Sequence, residues 1–309
     1  MRAFAVALAL CLAAPTASAD ESWFPSRYGK DDTLGAANNL SPEGVLRAAK
    51  LIKTGKVYSL GVTTGYDTPA YPPRSYQIVT IPSAAPNETL GTNKVVAHDD
   101  LLITWMGIGS QLDGLGHLGI DHRYYNGVHE DDVLRPNGLV RFSTDKIPPL
   151  VTRGVLLDIA AQRGVAMLEA GTAINRPEIE AACARQGVSI GKGDVVIFHT
   201  GYQALAAKDK AAFLAKEPGL GKGGAEYLAS LGVVAVGLDS WAVEVIPSED
   251  PKELFPVHQI LLAKNGVYIL ENMNTAALAA DQGWEFLFVL GQPKFQGAVQ
   301  AVINPIAIR

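Results

Sequence analysis

The chain has 309 residues, of which 48% are hydrophobic, 18% charged and 7% aromatic. This composition is typical of a folded globular protein and excludes a disordered or fibrous one. Because 26 basic and 31 acidic residues give a formal net charge of −5 without any basic run, nucleic acid and anionic membranes are disfavoured as partners. We expect a small-molecule partner.

The first 19 residues have the layout of a secretory signal peptide. Arg2 supplies a positive charge, residues 3–14 form an apolar run too short to span a bilayer, and residues 17–19, Ala-Ser-Ala, match a cleavage site. We therefore expect an exported mature protein of residues 20–309, periplasmic in a bacterium or else secreted.

The remaining sequence alternates between helical patterns and short apolar, β-branched runs. In chain order, it predicts a helix over residues 41–52, strands over 57–62, 76–81, 101–105 and 154–158, a helix over 176–185, a strand over 194–198, helices over 209–215 and 223–230, and strands over 233–237, 266–270 and 285–290.

This alternation predicts a single α/β domain with a mixed sheet, because the helices never cluster at one end of the chain. The apolar runs such as 101–105 and 154–158 are typical of strands covered on both faces. The Pro-rich residues 69–86 predict a long ordered loop, and loops of this length commonly border a functional site. No glycine-rich phosphate loop follows a strand, so a nucleotide cofactor is not expected.

The segment 107–122 concentrates glycines, carboxylates and histidines directly after a predicted strand. In extended chain Gln111 and Asp113 point the same way, so both could reach one cation. His117 follows after two glycines that permit a turn back over the site. The alternative is a glycine-rich loop in which Asp113 is a cap and His117 is merely hydrogen-bonded.

A second polar cluster accompanies the predicted strand 266–270. His258 opens an apolar helical turn, and Glu271 ends an apolar strand where an unpaired charge would be expensive to bury. Glu271 therefore needs a cation or hydrogen-bond donors. A salt bridge to a nearby arginine or lysine would satisfy it as well as a metal ion.

Together the two clusters resemble the putative cyclase family, which includes bacterial kynurenine formamidase and isatin hydrolase, metal-dependent hydrolases of amide bonds. That family carries the motif H-x-G-T-H-x-D-x-P-x-H, followed much later by a His and a Glu about a dozen residues apart. Here residues 107–117 and the pair His258 and Glu271 correspond to these motifs. The likeness continues in separate blocks at residues 31–38, 153–158, 193–196 and 305–307.

The resemblance implies the swivelling β/β/α type of fold and assembly into homodimers or homotetramers. It implies that Asp113, His258 and Glu271 bind the metal and that His117 is the proton-transferring base. Two family histidines are replaced, by Gly107 and by Gln111. We therefore expect one divalent ion per chain, Mn²⁺ or Zn²⁺, with Gln111 either a weak amide-oxygen ligand or an orienting group for water.

The resemblance, together with the signal-peptide layout, therefore implies an exported metal-dependent hydrolase of an amide, formamide or lactam bond in a small molecule, with water activated by the metal and His117 as general base. The same site could instead hydrolyse an ester or lactone, or perform a cyclisation or dehydration. Outside enzymes, loss of two histidines could leave a periplasmic binding protein for a small molecule. No Gly-x-Ser-x-Gly elbow is present, and Cys183 lies in a helical pattern, so a nucleophilic mechanism lacks a carrier.

Several further side chains carry weaker signals. His199 at a strand end could face the substrate, whereas solvent exposure is the default for His98, His122 and His129. Residues 239–241 and Glu244 follow a buried strand and could support the site or a subunit contact. Trp23, Tyr66 and Tyr71 could form an aromatic wall for a ring-bearing substrate, although packing within the protein is the default for each.

Overall fold

The computed structural model describes residues 21–309. The segment expected to be a signal peptide lies outside these residues, so export stays a prediction. Among the described residues, no helix combines the length and the apolarity needed to cross a membrane.

The fold consists of fifteen strands and eight α-helices over residues 21–309. The strands are β1 Val57–Ser59, β2 Tyr76–Pro82, β3 His98–Thr104, β4 Gln111–Asp113, β5 Leu134–Arg135, β6 Gly138–Leu139, β7 Leu150–Asp158, β8 Ala173–Ile174, β9 Val195–His199, β10 Gly219–Leu220, β11 Ala235–Leu238, β12 Tyr268–Glu271, β13 Glu285–Leu290, β14 Gln300–Val302 and β15 Ile306–Ile308. The α-helices are α1 Pro42–Ala49, α2 Ile159–Gln162, α3 Arg176–Gln186, α4 Gln203–Ala206, α5 Lys210–Ala215, α6 Lys222–Leu231, α7 Pro256–His258 and α8 Ala276–Ala280. A π-helical segment, Gln259–Lys264, continues α7.

Nine strands form one mixed sheet in the order β1-β15-β13-β7-β9-β11-β12-β4-β14. Its centre, from β7 to β12, is parallel, and the flanking strands pair antiparallel. Because parallel strands need helices as crossovers, the central strands are buried on both faces and consist of continuous apolar residues. The expected single α/β domain with a mixed sheet is confirmed.

Close packing on this sheet pairs a residue without a side chain on one strand with a large ring on the next. Phe286 on β13 is fully buried, and its ring lies over Gly154 of β7, where an added Cβ would come within 2.1 Å of it. A larger side chain than glycine would therefore displace the ring.

Helix α1 begins as the sequence predicts. Ser41 caps it by accepting a 3.0 Å hydrogen bond from the Gly44 amide, as the Ser-Pro sequence predicts.

The strand at 101–105 forms, but its predicted burial is wrong. β3 pairs only with β2 in a two-stranded hairpin that is separate from the main sheet. Leu101, Leu102 and Ile103 consequently remain 48%, 53% and 53% exposed. An apolar sequence indicates that a strand would gain stability from being buried, but it does not determine whether another part of the chain packs over that strand.

Candidate active site

The register of three neighbouring strands gathers four polar side chains on one patch of the sheet. Gln111 on β4 lies opposite Glu271 on β12, and Asp113 on β4 lies opposite Gln300 on β14. Directly opposed residues have Cβ atoms about 4.5–5.5 Å apart, which brings their side chains into contact. The Gln300 amide donates a 2.7 Å hydrogen bond to Asp113 Oδ1, and the Gln111 amide donates to Glu271 Oε2 at 2.6 Å and to Asp113 Oδ1 at 3.3 Å.

His258 reaches this patch from the end of α7, where the helix changes to π-helical geometry. Its Nδ1 atom donates to Glu244 Oε1 at 2.8 Å, and the same oxygen accepts the His258 backbone amide at 2.7 Å. Glu244 therefore holds the ring with Nε2 turned to the carboxylates, 3.5 Å from Asp113 Oδ2 and 3.2 Å from Glu271 Oε1. This is the supporting role that the sequence allowed for Glu244.

His117 follows β4 in a tight turn, in which its amide donates to the Gly114 carbonyl at 3.0 Å. The turn brings His117 Nε2 to 3.8 Å from Asp113 Oδ2 and leaves its side chain 23% exposed. Gly116 lies close to Leu139 in this turn: an added Cβ would come within 2.5 Å of Leu139 Cδ1, so a larger residue would displace that side chain. The imidazole is thus held at the boundary between the buried cluster and solvent.

The cluster has the donor set of a metal site. Donor atoms of Asp113, His117 and His258 all lie within 4.8 Å of one another. Asp113 Oδ2 is buried and accepts no hydrogen bond from any described residue, which is costly for a carboxylate oxygen without a cation. Since carboxylate oxygens and imidazole nitrogens are ligands for Zn²⁺ and Mn²⁺, these residues fit a divalent ion.

The electrostatics of the cluster also favour a positive charge among its carboxylates. Burial alone would raise the pKa of Asp113, but the charges of His117 and His258 outweigh burial and lower it. Burial and the Asp113 charge raise the pKa of Glu271. Burial opposes charging of His258, yet three surrounding carboxylates hold its pKa well above the usual value. A cluster of this kind attracts either a proton or a metal ion.

The structure brings together all five residues predicted for the site: Gln111, Asp113, His117, His258 and Glu271. Of these, Gln111 differs in detail from a weak oxygen ligand, because its amide nitrogen faces the two carboxylates. Acidic neighbours favour the donor end of the amide, so Gln111 hydrogen-bonds the two carboxylates, and its role toward water stays a prediction. In residues 21–309, no arginine or lysine forms an ion pair with Glu271, which removes the salt bridge considered for that residue.

A cavity of about 620 Å³ opens onto the cluster and is lined by His117, His258, Gln111 and Glu271. Its other walls are largely aromatic and come from distant parts of the chain: Tyr71, Trp105, Trp241 and Phe255. Tyr71 and Trp241 meet edge to face with ring centroids 4.9 Å apart. The Pro-rich loop also contributes Pro72, Pro73 and Arg74, in line with its expected position beside the site.

Two members of the predicted aromatic wall lie elsewhere. Trp23 packs against Phe24, with ring centroids 4.8 Å apart, and Tyr66 packs against Tyr76 and is 68% exposed. The aromatic prediction is therefore correct only for Tyr71. A tryptophan or tyrosine in a loop has no local signal that shows which cavity it will face.

The remaining histidines occupy three separate places. His199 Nδ1 lies 2.7 Å from Thr275 Oγ1 and 3.3 Å from Asp239 Oδ2. His122 is exposed and pairs with Glu130, whereas His129 lies beside Asp131. His98 is an exposed residue at the start of β3.

Sequence reasoning missed two residues of the site. Gln300 contacts Asp113 from β14, and Arg74 donates a 2.8 Å hydrogen bond to the Gly107 carbonyl. An isolated glutamine in a short strand and an arginine in a Pro-rich loop carry no motif, and only strand register and loop packing bring them here. Arg74 is relevant to the site because its partner, Gly107, stands at the first histidine position of the family motif.

A model of the putative cyclase family matches residues 58–245, more than half of the chain. This range contains Gln111, Asp113 and His117, whereas His258 and Glu271 lie beyond its end. No curated protein matches the chain.

Solved structures share the fold over nearly the whole chain. A protein described as a novel cyclase is 28% identical with a TM-score of 0.83, covering 92% of this chain and 98% of its own. Isatin hydrolase A from Ralstonia solanacearum is 20% identical with a TM-score of 0.63, covering 82% and 92%. A potential metal-dependent hydrolase with cyclase activity is 20% identical with a TM-score of 0.53, covering 82% and 98%. On the family match, the shared fold and the polar cluster at the position of the family motif, this chain belongs to the putative cyclase family.

Proposed function

We propose that the protein is a metal-dependent hydrolase that cleaves an amide, formamide or lactam bond in a small molecule. The observation that carries this proposal is the buried Asp113 Oδ2, which accepts no hydrogen bond from the described residues and lies 3.5 Å from His258 Nε2 and 3.8 Å from His117 Nε2. A buried polar centre with unused acceptor capacity, next to an apolar cavity, is typical of a site that binds an ion and a reacting group.

Asp113, His258 and Glu271 would hold the ion, and His117 would serve as general base. A divalent ion bound there polarises a carbonyl group and lowers the pKa of water. Burial lowers the pKa of His117, and the charges of His258 and Arg74 lower it further against the opposing charge of Asp113. A lowered pKa favours the unprotonated imidazole, which is the form that a general base requires. Gln111 restrains both carboxylates through its amide nitrogen.

The walls of the cavity favour a flat, apolar substrate. Trp105, Trp241 and Phe255 provide ring faces and edges against which an aromatic or cyclic molecule can pack. A structural neighbour is named isatin hydrolase, and isatin is a bicyclic lactam. A ring-fused lactam or an aromatic formamide is therefore the substrate class that we assign to the cavity.

Assembly and location complete the proposal. The hairpin β2–β3 carries exposed apolar side chains on both strands, including Ile81, Leu102 and Ile103. Exposed apolar surface of this kind is typical of a protein interface, and we assign it to a second copy of the chain in a homodimer or homotetramer. The layout of residues 1–19 supports export to the periplasm. Leu102→Lys combined with Ile103→Lys should shift the mass measured by light scattering toward the monomer.

Metal content and turnover test the proposed reaction. The purified protein should contain about one divalent ion per chain, measured by plasma mass spectrometry. It should open a lactam such as isatin or hydrolyse an aromatic formamide, and a chelator should abolish turnover until Mn²⁺ or Zn²⁺ is restored. Asp113→Asn should lose the ion, whereas Asp131→Asn, which changes an exposed carboxylate beside His129, should retain both ion and turnover.

Other outcomes would assign a different function to the same cavity. Turnover of esters or lactones but not of amides would make the protein an esterase or lactonase, and formation of a ring or loss of water would make it a cyclase or dehydratase. Binding of small molecules with neither ion nor turnover would identify a binding protein and would refute the hydrolase.

A further inference from the structure

We propose that Arg74 binds a carboxylate of the substrate, so that among small ring-bearing molecules the protein prefers acids to neutral ones. This inference rests on the proposed function in one respect, since it takes the cavity beside His117 as the substrate site. It adds the charge of the substrate and the residue that selects it.

Arg74 occupies space that is open because residue 107 is glycine. Its Nη1 atom donates to the Gly107 carbonyl at 2.8 Å, and its own amide donates to the Tyr71 carbonyl at 2.8 Å. A Cβ added at Gly107 would lie 3.0 Å from Arg74 Nη1 and 3.0 Å from Gln300 Oε1. A side chain at position 107 would therefore compete with the guanidinium for this volume.

The guanidinium is held in place but is not neutralised. Among residues 21–309, no carboxylate lies within 4.0 Å of it, and its side chain makes the single hydrogen bond to Gly107. A guanidinium has five N–H donors and stays charged, so four donors are unused by the described protein. Its charge still acts on the site: burial raises the pKa of Glu271 and lowers that of His117, and the Arg74 charge opposes the first shift and adds to the second.

A role limited to balancing the acidic cluster does not account for this geometry. Balancing Glu271 or Asp113 would be strongest in a direct ion pair, and Arg74 forms none with either of them in the described chain. It lines the cavity instead, together with aromatic residues that include Trp105 and Trp241. The planar guanidinium can pair with a carboxylate through two parallel N–H donors, and the apolar cavity beside it can hold the ring to which that carboxylate is attached.

The same charges explain why an acidic substrate requires Arg74. Glu271 lies in the cavity wall and Asp113 is buried beneath it, so their charges disfavour an incoming anion. An arginine that hydrogen-bonds the ligand would offset that repulsion and fix the orientation of the ligand. The scissile bond would then face His117 while the carboxylate is held at Arg74. Neutral molecules of the same shape would bind without this orientation.

Binding of benzoate and benzamide tests the inference without any turnover. The two probes share a ring and differ in charge, and their binding to the metal-loaded protein is measured by calorimetry and by tryptophan fluorescence. We expect benzoate to bind about tenfold or more tightly than benzamide, a preference in the range of charge-assisted hydrogen bonds. Arg74→Gln should remove this preference by weakening benzoate alone.

Two further variants separate binding from folding. Arg74→Lys keeps the positive charge but lacks the planar set of guanidinium donors, so it should retain part of the benzoate preference. It is the variant to test if Arg74→Gln unfolds. Arg47→Gln, at an exposed arginine on α1, should behave like the parent. A benzoate preference that survives in Arg74→Gln would overturn the inference, as would equal losses for both probes.

The outcome is independent of the proposed reaction. If the purified protein binds no ion and turns over nothing, yet Arg74→Gln abolishes the benzoate preference, the hydrolase fails and the anion site stands. If the protein hydrolyses neutral lactams with Arg74→Gln as active as the parent and shows no benzoate preference, the anion site fails and the hydrolase stands. If removing the metal abolishes the benzoate preference and Arg74→Gln does not change it, the carboxylate of benzoate binds the metal ion and not Arg74.

Discussion

Replacing Glu244 by glutamine should weaken metal binding although Glu244 itself is not a predicted ligand. Its Oε1 atom accepts from His258 Nδ1 at 2.8 Å and from the His258 amide at 2.7 Å, and Oε2 accepts from the Val257 amide at 3.1 Å. These bonds set the tautomer that leaves Nε2 free for the ion. A glutamine has one acceptor oxygen where the glutamate has two, and it carries no charge.

The size of the effect follows from these three contacts. Loss of a carboxylate partner to a metal-binding histidine lowers metal affinity about 10- to 100-fold, equivalent to about 1.4–2.8 kcal/mol. The glutamine NH₂ group must also face the Val257 or His258 amide, and a buried donor left unsatisfied costs about 1–3 kcal/mol. We therefore expect Glu244→Gln both to bind the ion more weakly and to unfold at lower denaturant.

Titration of the metal-free protein with Mn²⁺ in a calorimeter measures the first effect, and urea unfolding measures the second. Glu253→Gln is the matched control, because Glu253 belongs to the same region but pairs with Lys222 near the surface, where such pairs contribute little. A dissociation constant for Glu244→Gln within threefold of the parent would refute the role assigned to Glu244. It would also place the ion away from His258.

His117→Ala should keep the bound ion and lose about 100-fold or more in kcat, since a general base contributes a factor of this order; metal analysis and steady-state kinetics check both. Phe286→Ala should lower the free energy of unfolding by about 3–5 kcal/mol, the range for deleting a buried phenylalanine ring, measured in urea. His199 gives a pH dependence: burial lowers its pKa, but the hydrogen bond and charge of Asp239 outweigh burial and raise it above 6.5. The protonated ring therefore contributes stability that is complete below pH 6.5 and is lost as the pH rises through the raised pKa. Urea unfolding of His199→Gln and the parent should show a difference at pH 6 that shrinks by pH 9.

Each of these expectations has a contrary result. Loss of the ion in His117→Ala would make that histidine a ligand, which the 4.8 Å donor spacing also permits. A cost below about 1 kcal/mol for Phe286→Ala would show that the sheet collapses into the vacated volume. A constant stability difference from pH 6 to 9 would show that His199 does not gain a proton on folding.

Most of the candidate site could be predicted because its residues follow recognisable local patterns. Gln111 and Asp113 are two residues apart, and this spacing places both on one face of β4. His258 and Glu271 end apolar elements where a buried polar group requires a partner. What could not be predicted was the orientation of the Gln111 amide, since that depends on Glu271, a residue 160 positions away that strand pairing brings opposite it.

Local sequence by itself determined where the longer strands and helices form, because side-chain branching, periodicity and capping act over a few residues. Short elements such as β14 and β15 were not predicted. It also determined that the chain has an acidic and histidine-rich cluster able to attract a cation. Only the tertiary structure decided that Gln300 supports Asp113, that Arg74 fills the space beside Gly107 and that the apolar β3 strand stays uncovered. These features depend on which distant surfaces meet, and that is set by the packing of the whole chain rather than by the preference of any one segment.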